Sequence, residues 1–411
     1  MPWPPALQRK PILGAFCIPS FWRVWLGSMY WYSARWMDLF VLQWQVLVMT
    51  DSAFQVTLVG FYRMLPMFVL GLLTGLIADR YDRRKVLLAA QLWNAAVSAA
   101  LAVLALTGRL ALWHLAVLVT ALGCSWALDL PSRRSYIYDM MGPRRVVNAM
   151  ALDHVGMDGA KMLGPVLGGL LWPVIGLGGC LLLLTVGYVV NFWIYLGLPA
   201  SPPARPSRPG PIVRNLAEGL RYVLAHPVIL GVLAITVVMN LLAFPYQQVA
   251  PVVAKKALDL GPQLAGLLLA ADGLGAFTAS LLIAARHDVK RKGLAFILGS
   301  AVFTAGVLLF SFSRWFGLSF LLLFVAGGGA ATFATFQSST LLVSASDSMR
   351  GRAMGTLMLA IGFGPLGALL IGGLASAVGA PLAITLMAGT GALLLALLIW
   401  KATGLRRFRT G

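Results

Sequence analysis

The chain has 411 residues, of which 59% are hydrophobic and only 11% charged, a composition that excludes a soluble globular domain with an ordinary surface. Its formal charge of +19 raises nucleic acid as a partner. Most of the Lys and Arg residues, however, fall on one side of the topology read below, which is the positive-inside pattern of a membrane protein and not a nucleic-acid footprint.

Twelve apolar stretches are each long enough to cross a bilayer as a helix: 21–49, 54–78, 86–107, 111–130, 146–173, 175–198, 227–249, 264–285, 294–312, 315–343, 353–378 and 381–400. The expected fold class is an all-α membrane protein whose twelve transmembrane helices form two pseudo-symmetric six-helix bundles. The residues before the first span are proline-rich and lack an apolar segment with a cleavage site, so that span is expected to be retained. At 100° per residue Ser28, Trp31, Arg35, Asp38 and Gln45 share a face of the first helix, and Arg35 and Asp38 stand three apart, close enough to interact. Arg63 lies in the second span. Charges at membrane depth cost several kcal/mol unless paired or hydrated, which makes all of them functional candidates.

Between the second and third spans runs a tight charged loop, Asp79-Arg80-Tyr81-Asp82-Arg83-Arg84-Lys85, with Gly75 four residues upstream. The fifth span carries Asp153, His154, Asp158 and Lys161, the last three on one face at spacings of four and three. Along the same span Gly156, Ala160, Gly164 and Gly168 make a stripe of small residues that admits a neighbouring helix closely, and Pro165 removes a backbone hydrogen bond. Cys17, Cys124 and Cys180 have unrelated spacings, so neither a disulfide framework nor a metal site is expected. His154 and Asp158 alone make a weak metal site.

Residues 199–211 are too proline-rich for helix and too polar for lipid, and read as a cytoplasmic linker. Ile212 to Leu224 alternate apolar and charged residues at helical spacing, which suits either a short surface helix or a partly ordered linker. The expected domains are therefore an N-terminal bundle (1–198), a linker (199–226) and a C-terminal bundle with its tail (227–411). The halves echo each other, with Ala149-Met150 recurring as Ala353-Met354 and Gly168-Gly169-Leu170 as Gly372-Gly373-Leu374. Parallel repeats of this kind imply a site at their interface. In the second half Asp272 is the one acidic residue within a span, accompanied by Asn240, Gln247 and Gln248.

The loop after the second span resembles the signature Gly-x-x-x-Asp-Arg-x-x-Arg-Arg-Lys of major facilitator superfamily transporters, with Asp82 where a glycine is common. Further stretches are similar to the drug and siderophore exporter branch: Arg63-Met64-Leu65-Pro66, Ala127-Leu128-Asp129-Leu130-Pro131-Ser132-Arg133, Asn148-Ala149-Met150-Ala151-Leu152 and Arg350-Gly351-Arg352-Ala353-Met354-Gly355. Gly164-Pro165-Val166-Leu167-Gly168-Gly169 resembles an antiporter signature, with Ala160 in place of an earlier glycine. The resemblance implies a conformational gate at Gly75, Asp79, Arg80, Arg83, Arg84, Asp129, Arg133 and Arg134. Asp79 would sit at the N-terminus of the eleventh helix, where its carboxylate meets a positive dipole end, and Arg133 or Arg134 would pair with Asp79 or Asp129; the alternative is that Asp79 and its basic neighbours only set topology and cap a turn.

Family members commonly carry a neutral glutamine near Asp38, neutral polar residues at Asp153, His154 and Asp158, and an arginine at Lys161. Asp38 is then either a proton or cation site or the counter-charge of Arg35 or Arg63. Asp158 is either the proton carrier or a static partner of Lys161. The proton-coupling candidates are Asp38, Asp158, Lys161, Asp153, His154, Arg35 and Arg63; Trp31, Gln45, Asn240, Phe244 and Asp272 are candidates for a substrate cavity. The expected activity is export of a small amphipathic organic molecule by proton antiport with alternating access. A lysolipid or lipid flippase is the alternative, with a membrane-embedded enzyme or non-transporting receptor more remote. No cofactor, metal or nucleic acid is expected. The partners are a small-molecule substrate, protons and the bilayer, and the chain is read as a monomer with both termini in the cytoplasm.

Overall fold

The structure is a computed structural model that describes residues 18–201, 221–285, 289, 291–346, 349–401 and 405. The side chains of 19, 70–80, 143–145, 147 and 350–352 are not among those described. The expectations for the side chains of Gly75, Asp79 and Arg80, for the linker beyond Ser201, for most of the surface helix at 212–224 and for the motif at Arg350 and Arg352 therefore lie outside the described residues.

The described chain is helical, without strands. Helix α1 spans Pro19–Thr50, α2 Ala53–Arg80 and α3 Arg83–Leu106. The stretch Leu112–Leu196 is broken at Gly142 (φ 65°, ψ 174°) and Gly176 (φ 64°, ψ 179°) into three rods, α4 (112–141), α5 (143–175) and α6 (177–196). Both breaks need a positive φ, which glycine adopts without the Cβ clash that penalises other residues. In the second half α7 consists of Pro227–Val238, a π turn Met239–Ala243 and Tyr246–Lys256. Then follow α8 (Pro262–Ala285), α9 (Lys292–Phe312), α10 (Phe316–Ser344), α11 in two parts (Arg350–Ile361 and Gly364–Val378) and α12 (Ala380–Lys401).

Nine stretches among the described residues are long and apolar enough to cross a membrane. Large apolar side chains face outward along them, with Val174 at 77%, Leu393 at 75% and Trp400 at 70% exposure. In water such surfaces would be a liability, but lipid tails cover them at no cost.

Two boundaries differ from expectation. The fourth helix continues well past Leu130, where its apolar run ends, because Ser132, Arg133, Tyr136 and Ile137 are all buried, and Arg133 and Tyr136 find hydrogen-bond partners inside the protein. The seventh continues beyond Val249 to Lys256, carrying buried Pro251 and Val253.

The described residues form two compact units. One comprises 18–45 and 62–201; the other comprises 46–61 and the described residues from 221 onward. In the first unit a core of Phe21, Val24, Leu87, Tyr136, Ile137, Met141, Ala149, Tyr195 and Leu198 gathers the start of α1, the extended end of α4 and the end of α6. The small-residue stripe of α5 is buried along α1. A Cβ on Gly164 would lie 2.7 Å from Met37 N and 2.8 Å from Ser33 O. Pro165 keeps helical backbone angles, since Gly142 and Gly176 are the only non-helical positions in Leu112–Leu196.

In the second unit the π turn closes with Phe244 N donating to Met239 O at 2.8 Å, just before Pro245, which has no N–H to continue the ladder. Phe244 packs at the bend against Phe303 and Phe333, with ring centroids 4.4 and 5.6 Å away. Gly367 of α11 fits under it; a Cβ there would lie 2.6 Å from Leu241 O and 2.9 Å from Asn240 O. The turn between α1 and α2 belongs to this unit, and Asp51 holds it in a left-handed conformation (φ 50°).

Candidate functional site

The functional side chains of the first unit fall at two levels. At the level of the charged loop, Asp82 caps α3: its Oδ1 accepts from Arg84 N at 2.9 Å and from Ser201 N at 3.3 Å. An aspartate in place of the common glycine thus satisfies a helix-end donor that glycine could not. Arg83 is buried and ion-paired with Asp139, whose Oδ2 also accepts from Ser201 Oγ at 2.6 Å. Arg84 donates from Nη2 to Leu196 O at 2.5 Å. These two arginines bind the start of α3 to the ends of α4 and α6.

Six to ten residues back along α4 from Asp139 lies a sealed ion pair. Asp129 and Arg133 are both 0% exposed and stand four apart on α4. Arg133 donates from Nε to Asp129 Oδ1 at 2.7 Å, and from Nη1 to Ser28 Oγ at 2.6 Å and Tyr195 OH at 2.9 Å. The Trp31 ring centroid is 4.9 Å from its guanidinium carbon. Gln91 Nε2 donates to the second Asp129 oxygen at 3.4 Å and its carbonyl accepts from Asn191 at 2.9 Å. Arg133 therefore takes Asp129, within its own helix. Arg134 is half-buried and outside this network.

At mid-span α1 meets α2, α4 and α5. Asp38 pairs with Arg63 of α2 through both oxygens, Nη1–Oδ1 at 2.9 Å and Nη2–Oδ2 at 3.0 Å, with both residues buried. The Nη2–Oδ2 contact is a charge-assisted hydrogen bond and the Nη1–Oδ1 contact an ion pair without hydrogen-bond geometry; together they take Asp38 away from Arg35, its neighbour three residues along the helix. Arg35 instead lies over Trp126 of α4, its guanidinium carbon 3.5 Å from the ring centroid, and 5.4 Å from the Trp36 ring. Lys161 of α5 approaches the same Trp36 ring, with Nζ 5.6 Å from the centroid. Asp158 and Lys161 are both half-buried. Asp153 is buried and accepts from Tyr32 OH at 3.0 Å. His154, next to it, is exposed. Gln45 is half-buried.

In the second unit Asp272 on α8 is buried at 3% exposure; its Oδ2 accepts from Tyr246 OH and Gln247 Nε2, each at 2.8 Å. Both donors follow the bend in α7, so the carboxylate ties that bend to α8. Asn240 donates to Thr236 O at 2.9 Å on the near side of the bend. At the α1–α2 turn, Lys256 Nζ lies 2.9 Å from Asp51 Oδ2 and 2.7 Å from Asp51 O. The hydrogen bond from Lys256, reinforced by the charges of Lys256 and Lys255, holds the exposed Asp51 carboxyl below the usual carboxylate range.

Three of these partners escape a reading of the sequence. Asp139 and Ser201 carry no motif, and Trp126 sits in an apolar run where an aromatic reads as packing. Among the described residues no group of three His, Cys, Asp or Glu side chains is arranged to hold a metal ion.

Long apolar helices with ionisable side chains buried among them define a multi-pass membrane protein, and its backbone is similar to those of several solved transporters. A transporter of the POT family in complex with 5-aminolevulinic acid superposes with a TM-score of 0.76 over 95% of this chain and 97% of its own, at 9% identity. A bacterial homolog of the human lysosomal transporter Spinster, inward-facing and unoccupied, gives 0.73 over 96% and 99%, at 13% identity. At such identities the likeness shows the fold alone. A family model described as a transmembrane secretion effector matches residues 12–410, and the chain belongs to that family of major facilitator superfamily transporters. The enterobactin exporter EntS of Escherichia coli O1:K1 / APEC is 28% identical over 367 residues, 89% of this chain and 87% of its own length. The MFS-type transporter YfiS of Bacillus subtilis (strain 168) is 26% identical over 250 residues, where the match spans 60% of this chain and 57% of that protein.

Proposed function

We propose that the protein is a secondary active exporter that moves a small amphipathic organic molecule, of drug or siderophore kind, out of the cytoplasm while protons enter. The observation that carries this reading is the set of ionisable side chains inside α1, α2, α4 and α5 of a chain that resembles a named exporter along 89% of its length. Twelve spans in two pseudo-symmetric six-helix bundles, with both termini cytoplasmic, are the architecture that goes with it, supported by the echo between the halves. Alternating access is the mode of transport that goes with that architecture, and the charged loop from Gly75 through Asp79 and Arg80 acts as the cytoplasmic gate, with Arg83 and Arg84 anchoring its end to α4 and α6.

Asp158 is the proton carrier in this reading, with Lys161 less than one turn away on α5. Ionised, the carboxylate is attracted to the ammonium and needs hydration or that partner; protonated, it crosses a dry environment at far lower cost. Proton loss and gain thereby favour different arrangements of the helices around it. Asp153, held by Tyr32, and His154 lie one turn along the same helix and lead protons toward it. Asp38, committed to Arg63, sets the local charge balance.

Everted vesicles from cells making the protein, energised to an acid interior and followed with a pH-sensitive dye, test the reading against macrolide antibiotics and siderophores. Addition of a substrate is expected to dissipate the gradient in wild-type vesicles. Transport that ignores an imposed gradient would remove the coupling, and absence of transport across the panel would remove the exporter.

A further inference from the structure

We infer that Arg35, seated on Trp126, is a recognition site for a planar anionic group, so that the transported molecule, or a lipid in its place, is an amphipathic anion. This rests on the exporter reading and narrows it to a substrate class. The guanidinium carries five N–H donors and no acceptor. The carboxylate nearest along its helix, Asp38, is committed to Arg63, Oδ2 accepting a hydrogen bond at 3.0 Å and Oδ1 standing in ion-pair contact at 2.9 Å. Among the described residues Arg35 has no ion pair, and its buried Nε has no hydrogen-bond partner. What holds it is the Trp126 face 3.5 Å below its central carbon. A cation is attracted to the face of an indole, but that contact uses the face of the guanidinium and leaves its edge unmet.

The neighbourhood has the same bias. Trp36 Nε1 is a second buried donor without a partner, and Lys161 adds an ammonium 5.6 Å from the Trp36 ring. Two unmet donors on adjacent residues leave hydrogen-bonding capacity for an acceptor carried by a bound molecule. Accessibility separates this group from the structural pairs: Arg35, Trp36 and Lys161 are each half-buried, whereas Arg63 is 4% and Arg133 0% exposed. A carboxylate or similar flat oxyanion matches the free edge of the guanidinium with two parallel hydrogen bonds. Trp126 and Trp36 give an aromatic or aliphatic body a surface to lie on.

Full-length protein in phosphatidylcholine nanodiscs, titrated with 2-naphthoate and with uncharged 2-naphthamide by calorimetry, tests this directly. Wild type is expected to bind naphthoate at least tenfold more tightly than the amide. In Arg35→Gln the two affinities should fall within twofold of each other while amide binding is retained, and Arg35→Lys, which keeps the charge but not the flat fork, should lie between. Equal affinities in wild type, a comparison that needs no variant to fold, or an undiminished preference in Arg35→Gln, would overturn the site.

Replacing a quarter of the lipid by phosphatidylglycerol separates the two sources of such an anion. Loss of the naphthoate preference assigns the site to lipid headgroups, and its persistence assigns it to a soluble substrate. If the affinities are equal but a neutral or cationic drug is still exported in response to a pH gradient, the anion site fails and the exporter stands. If the preference is present without any driven transport, the reverse holds.

Discussion

Removing one partner of the sealed ion pair in α4 should be costly, and removing both should not. In Asp129→Leu, Arg133 keeps Ser28 and Tyr195 at 2.6 and 2.9 Å but loses the charge that balances it at a site with 0% exposure. In Arg133→Met, Asp129 is left with Gln91 at 3.4 Å as its remaining side-chain donor. Each single change leaves an uncompensated buried charge and should destabilise the protein by about 3 to 5 kcal/mol. The double variant Asp129→Leu/Arg133→Met removes both charges, and its loss should be smaller than either single loss. Unfolding in mixed micelles by increasing dodecyl sulfate, followed by far-UV circular dichroism, measures all three. A single variant within about 0.5 kcal/mol of wild type, or a double variant whose loss is the sum of the two singles, would refute a coupled buried pair and return these residues to a mobile gate.

The close approach of α5 to α1 predicts that Gly164→Ala, a single methyl, destabilises by about 1 to 3 kcal/mol in the same assay, since Met37 N and Ser33 O are backbone atoms that cannot step aside; Gly373→Ala, with open space around it, should be neutral. Asp82→Ala removes the cap of α3 and should cost about 1 kcal/mol, with Asp82→Asn recovering most of it because the accepting oxygen is kept. The depressed carboxyl of Asp51 contributes stability that is present above the ordinary carboxylate value of about 4 and is lost as pH falls through its lower folded value. A stability profile recorded below about pH 4 should therefore contain a component that Asp51→Asn lacks, and salt should weaken that component because the pair is exposed.

The spans were legible because a helix in lipid must be apolar on its outward faces and long enough to cross, and both properties are written in the composition of each stretch. The breaks at Gly142 and Gly176 and the bend before Pro245 likewise have local signals. The extension of α4 does not: after Leu130 the sequence turns polar, and only the packed end of the first unit reveals that Arg133 and Tyr136 are inside. Partner choice was the other gap. Spacing on one helix put Asp38 within reach of Arg35, and the sequence left Arg63 open as the other counter-charge; the helix pairing decides for Arg63, with a hydrogen bond at 3.0 Å and an ion contact at 2.9 Å. Trp126 could not be singled out for the same reason, because what makes it distinctive is a cation from another helix on its face.

Proton-coupled export by Asp158 is tested most directly in proteoliposomes that hold wild type or Asp158→Asn, assayed for substrate transport with and without an imposed pH gradient and for exchange of labelled against unlabelled substrate at equal pH. Coupling predicts that the gradient accelerates wild-type transport and that Asp158→Asn loses this acceleration while exchange continues. Gradient-driven transport of undiminished rate in Asp158→Asn would contradict it.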